Sequence, residues 1–162
     1  MKKKSLLDSF AVLAWIQDEK GAQQVEDLLY LAQDHKGDVL LNIINLGEVF
    51  YRCARVRDLP FARDMLEKLR LLPIRIYPCP NDLVLEASEI KAKYPIAYAD
   101  AFAAATALRE NATVVTGDPD FKLLDKIIEI EWLRSASPQI RFGRPARGRM
   151  TSDFGAKEGR VI

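Results

Sequence analysis

Val39-Leu40-Leu41-Asn42-Ile43-Ile44 runs directly into Asn45-Leu46-Gly47-Glu48-Val49. The first six residues are nearly all apolar, with no alternation. That suits a strand covered on both faces, as the strands of a parallel sheet are. Asn45 can cap the helix that follows, which turns Leu46, Val49, Phe50 and Cys53 inward. A buried strand passing directly into an amphipathic helix is the repeating piece of a sheet sandwiched between helices.

The same alternation extends both ways along the chain. Upstream, Ser5-Leu6-Leu7 reads as a first strand closing on Asp8, with a Ser9-capped helix carrying Phe10, Leu13 and Ala14. A second helix over about 20–35 puts Val25, Leu28, Leu29 and Ala32 on one face, and Gly37 stops it. Downstream, a helix from Pro60 to Leu71 begins with a favourable first-turn proline. A short strand at Ile74-Arg75-Ile76 and a helix from Asn81, with Leu83, Ala87 and Ile90 inward, come next. Residues 98–110 are alanine-rich and strongly helical. Thr113–Thr116 is a strand ending at Gly117-Asp118, then a helical turn over Phe121–Leu124 leads to a last strand at Ile127–Ile130. The expected class is α/β, a three-layer α/β/α sandwich with a mainly parallel central sheet.

The chain has 162 residues, enough for one domain, over residues 1–133, and a tail. Residues 134–162 hold seven basic groups against Asp153 and Glu158, whereas residues 1–133 are net acidic. The tail is rich in glycine and proline, lacks periodicity and is expected to be disordered. No apolar run reaches the ~20 residues of a membrane span, and Asp8 interrupts any secretory-signal pattern at the start. Cys53 and Cys79 are far apart and read as free thiols of a reducing compartment, so a cytoplasmic location is expected. A single histidine, His35, excludes a multi-histidine metal site. Trp15 and Trp132 read as packing residues, and the apolar positions of 60–72 as core in preference to a dimer face.

The acids carry the chemistry. Asp8 and Asp118 end strands, Glu48 lies in the first turn after a buried strand, and Asp100 opens the alanine-rich helix. Ligands of open α/β sheets bind beyond the carboxyl ends of the strands, so separate segments would bring these acids to one edge. Singly, each has a structural reading as a cap, turn or dipole partner, and Asp120 reads as a surface residue. Together they repel one another unless a cation neutralises them. With no histidine or thiol cluster the expected cation is Mg²⁺ or Mn²⁺, which prefers oxygen ligands. Hydrolysis of a phosphodiester is the natural chemistry of such a site.

Four segments resemble the PIN-domain nucleases, particularly the toxin halves of VapBC-type toxin–antitoxin pairs: Leu6-Leu7-Asp8-Ser9, Asn45-Leu46-Gly47-Glu48-Val49, Tyr98-Ala99-Asp100-Ala101-Phe102-Ala103-Ala104-Ala105 and Val114-Val115-Thr116-Gly117-Asp118-Pro119-Asp120-Phe121. They stand in the family's order, and the resemblance covers about residues 4–133. It implies that Asp8, Asp100 and Asp118 hold the metal, and that Glu48 completes the pocket, orients water or assists proton transfer. Ser9 and Thr116 would support the site through their hydroxyls. It also implies an RNA substrate, a cognate antitoxin and a homodimer. Relatives often carry Ser or Thr where this chain has Asn45. Arg52, Arg55, Arg57, Lys91 and Lys93 are candidate contacts for a polyanion, and so is the basic tail.

Two other readings compete. A haloacid-dehalogenase-like phosphatase needs a second Asp two residues after the strand-end Asp, and Phe10 stands there. A catalytically silent module that binds RNA or protein would be favoured by loss of an acid, yet all four are present.

Overall fold

The computed structural model describes residues 2–134. The tail from Ser135 onward, including the expectation of disorder, lies outside the described residues. Strands β1 (Lys3–Leu7), β2 (Gly37–Asn42), β3 (Ile74–Tyr77), β4 (Thr113–Thr116) and β5 (Ile130–Trp132) form one sheet in the order β3-β2-β1-β4-β5. Every pair is parallel, with Leu7 opposite both Leu41 and Val115. The chain builds outward from β1 to β3, then crosses to place β4 on the other side of β1. The boundary between β1 and β4 is therefore a topological switch point, the usual place for a ligand crevice.

Alternation sorts the strand residues onto two faces. Leu7, Val39, Leu41 and Val115 pack with α1 (Ser9–Ile16), α2 (Ala22–Gln33), α3 (Ile43–Val56) and α4 (Leu59–Arg70). Leu6, Leu40 and Val114 pack on the opposite face with α5 (Asn81–Lys93), α6 (Tyr98–Glu110) and a 3-10 turn over Pro119–Leu124. Two apolar faces on each central strand explain the unbroken apolar runs. The sandwich is the three-layer arrangement expected.

Several local readings are corrected. Strand β2 ends at Asn42, not Ile44, and Asn42 is the cap of α3, its side chain accepting from Ile44 N. Asn45 lies inside the helix. Asp8, not Ser9, caps α1, through a hydrogen bond from Ala11 N. Helix α2 stops before Gly37, where His35 takes a left-handed conformation at φ 58°. The last strand is Ile130–Trp132 because Leu124–Ile128 is occupied by the 3-10 turn and the turn that follows it.

Other expectations hold. Trp15 is buried and donates to Glu26 Oε2 at 2.8 Å, and Trp132 packs against the second core cluster. In α4 and just beyond it, Met65 and Leu69 are core and Leu66 and Leu72 pack against it, while Leu71 points to solvent. Cys53 and Cys79 are free thiols. Among the described residues no helix is long and apolar enough to cross a membrane.

Candidate active site

Asp8 and Asp118 follow core strands, and Glu48 and Asp100 lie within core helices, so packing fixes where each emerges. Asp8 leaves the end of β1 and is buried. Its Oδ1 accepts from Ala11 N at 2.8 Å and its Oδ2 from Thr116 Oγ1 at 2.5 Å. Thr116 ends β4, and its oxygen also accepts the amide of Asp118 at 2.9 Å. One threonine thus joins both strand-end acids across the switch point. Asp118 caps the 3-10 turn, accepting from Asp120 N at 2.9 Å.

Glu48 extends from α3 and is half-buried. Ser9 Oγ donates to its Oε2 at 2.5 Å, and Arg52 pairs with its Oε1 at 3.2 Å. Tyr51 Oη lies 3.5 Å from the same Oε1. Asp100 is buried in the first turn of α6. That helix packs closely because Ala101, Ala103, Ala104, Ala105 and Ala107 are all buried against the sheet and α5.

Two buried asparagines hold these segments together, and the sequence reading missed both roles. Asn45 Nδ2 donates to Ala99 O at 3.1 Å and to Ser9 Oγ at 3.3 Å, so it ties the Glu48 helix to the residues beside Asp8 and Asp100. Its Oδ1 is buried without a hydrogen-bond partner. Asn42 Nδ2 donates to Thr106 Oγ1 at 2.8 Å, pinning α6 to the end of β2. A signal was available: a lone polar residue within a buried apolar run marks where a strand ends in a cap.

The electrostatics show that the acids share one region. Burial pushes Asp8 up to about 7, against hydrogen bonds from Thr116 and Ala11, and Asp100 and Asp118 raise it further. Asp100 is also pushed up to about 7, by burial first and then by Asp118, Glu48 and Asp120. Asp120 therefore contributes to the acidic field although it is exposed. As the side chains stand, no three acidic, histidine or cysteine groups among the described residues are gathered tightly enough to grip one ion together.

The expected basic groups are dispersed. Arg52 is paired with Glu48, Arg55 stacks 5.1 Å from the Tyr51 ring centre, and Arg57 lies 4.6 Å from that of Phe61. Lys91 and Lys93 are exposed at the end of α5, shortly before the turn that leads to Asp100.

A parallel sheet with acids at its switch point defines a class of α/β protein with a carboxylate-lined crevice. The family model for the PIN domain matches residues 5–127, and the chain belongs to that family. No curated protein matches the sequence. Among solved structures, VapBC2 from Rickettsia felis, bound to a promoter DNA fragment, is similar at a TM-score of 0.64 and 18% identity, covering 80% of this chain and 98% of that one. FitAcB from Neisseria gonorrhoeae matches at a TM-score of 0.59 and 23% identity, covering 78% and 95%. VapC20 of Mycobacterium tuberculosis, a sarcin-ricin-loop-cleaving toxin, matches at 0.57 and 19%, covering 73% and 92%. At these identities the likeness is one of fold.

Proposed function

We propose that this PIN-domain chain is a metal-dependent endoribonuclease that hydrolyses RNA phosphodiester bonds, and that it is the toxin of a toxin–antitoxin pair. The observation that carries the reading is the convergence of Asp8, Glu48, Asp100 and Asp118 on one edge, with two of them buried and held near pH 7 by burial and mutual repulsion. Such a donor set fits a hard divalent cation, Mg²⁺ or Mn²⁺, which stabilises like charges that otherwise oppose ionisation. Asp8, Asp100 and Asp118 would hold it. When bound, the cation supplies charge neutralisation and polarises a phosphoryl oxygen.

The chain's own groups divide the remaining work. Glu48 is held at both oxygens, by Ser9 on one side and Arg52 on the other, and so is positioned to orient the attacking water and accept its proton. Thr116 keeps Asp8 and Asp118 in register. The water oxygen attacks phosphorus, the bond to the leaving ribose oxygen breaks, and that oxygen takes up a proton from solvent while Glu48 returns the proton it accepted.

The toxin assignment is supported by the fold shared with VapBC and FitAB structures. A cognate antitoxin, a homodimer and a cytoplasmic location belong to the same reading. The test is cleavage of a mixed RNA pool by the purified protein with Mg²⁺ or Mn²⁺, beside EDTA and an Asp100→Asn variant. Cleavage that needs both the cation and Asp100 supports the proposal. RNA that survives every cation while the fold is intact would make the chain a binding module instead.

A further inference from the structure

Phe10 follows Asp8 and Ser9 on the first turn of α1, and 41% of it is exposed. Its ring lies flush on the backbone of Gly117: a methyl group built there would stand 2.3 Å from ring Cε1 and 2.9 Å from Cδ1. Gly117 separates Thr116, bonded to Asp8, from Asp118. The ring therefore sits against the backbone between Thr116 and Asp118, beside the end of β1 from which Asp8 emerges, and stays partly open to solvent. The absence of a side chain at Gly117 is what admits it.

Tyr98, two residues before Asp100, is also exposed, but its hydroxyl meets Ser88 and its ring packs on Phe102; Ile44, a turn before Glu48, is aliphatic, and Leu71 and Leu85 lie at the end of α4 and on α5. Phe10 is an aromatic plane fixed at the rim of an acidic crevice. Beyond Glu48, exposed Tyr51 sits under the Arg55 guanidinium. A flat apolar face beside the acids, with the Tyr51–Arg55 pair on the Glu48 helix, offers a base a ring to stack on and a phosphate a cation to meet, the two chemistries of an unpaired nucleic-acid strand.

We infer that Phe10 is a base-stacking platform that seats one unpaired RNA nucleotide beside the acidic crevice, and so selects single-stranded or splayed substrate. This rests on the ribonuclease reading above. Gly117 makes the platform possible and Ser9-Phe10 links it to Glu48, so the base and the reacting phosphate are placed by the same turn of helix.

The test compares wild type, Phe10→Leu and Phe10→Trp on a fluorescein-labelled single-stranded RNA. Affinity is measured by anisotropy in an Asp100→Asn background, and cleavage kinetics in the active one. Phe10→Leu is expected to weaken binding roughly ten-fold and raise KM with kcat little changed, while Phe10→Trp retains wild-type behaviour. Scanning the RNA with single abasic positions should reveal one site where losing the base harms wild type but not Phe10→Leu. Equal affinity and KM in wild type and Phe10→Leu would overturn the inference alone, leaving the ring as a surface for a protein partner. So would a loss that Trp does not restore, or base and ring losses that simply add. A wild-type protein that neither binds nor cleaves any RNA would overturn the ribonuclease reading and this inference with it.

Discussion

Thr116 donates its hydroxyl to Asp8 and accepts the amide of Asp118 with the same oxygen, at 2.5 and 2.9 Å, across the boundary where the strand order reverses. The pair joins two segments 108 residues apart in the chain and fixes the rotamer of a buried carboxylate. Thr116→Val keeps the shape and removes both hydrogen bonds. It is expected to raise the Mn²⁺ concentration needed for half-maximal cleavage by about 10- to 100-fold, the usual cost of losing a group that orients a metal ligand. A metal titration checks this, and an unchanged midpoint would remove Thr116 from the site.

The acids are a source of instability. Asp100 is buried among Asp118, Glu48 and Asp120, all of which oppose its ionisation. Asp100→Asn removes that repulsion at nearly constant volume. The variant should lose cleavage by a factor of at least about 10³ yet match or exceed wild type in urea resistance at pH 8 with EDTA, by roughly 1 kcal/mol. A variant that loses activity because it unfolds would contradict this.

The pH dependence follows with a definite sign. Asp8 and Asp100 titrate near 7 in the folded chain, well above the ordinary carboxylate value of 3.8. Between these values the folded state holds protons that the unfolded state has released. The contribution is therefore complete below about pH 4 and is lost as pH rises through about 7. At ~1.4 kcal/mol per unit, the change is on the order of a few kcal/mol, shared between the two acids because Asp100 raises Asp8. In EDTA, Tm should fall between pH 5 and 8. Added Mg²⁺ should raise Tm more at pH 8 than at pH 5.5, because binding competes with protons. A Tm that rises over this range in EDTA would refute the account.

Asn45 tests whether the site is held by one buried amide. Its Nδ2 serves Ala99 O and Ser9 Oγ together. Asn45→Ala leaves the Ala99 carbonyl without that donor and opens a small cavity, at a cost of about 1–3 kcal/mol. The urea midpoint should drop accordingly, and cleavage should fall further than stability explains, because Ser9 loses the amide that orients its hydroxyl toward Glu48. A stable, fully active Asn45→Ala protein would show that the link is dispensable.

Much of this was legible in one dimension. Leu6-Leu7, Val39-Leu40-Leu41 and Val114-Val115 are apolar on successive residues because both faces of their strands are covered, and that pattern announces a parallel sheet. Asp8 and Asp118 were legible because they stand where such runs stop, and Asp100 because an acid at the head of an alanine-rich helix has no packing role to play.

The boundaries and the partners were not. A strand buried on both faces has no polar alternation to show where it ends, so the run to Ile44 concealed the cap at Asn42 and moved Asn45 from cap to buried link. The last strand was misplaced because Ile127 and Ile128 are apolar in order to cover α6 and β4, which looks the same in sequence as pairing in a ladder. The existence of the sheet and helices and the acids at strand ends could be read from neighbours along the chain, because burial and periodicity are local properties. Tertiary structure alone decided that Thr116 meets Asp8, that Asn45 reaches Ala99 and that Phe10 rests on Gly117, because each pair lies dozens of residues or more apart and only packing of the layers brings them within contact.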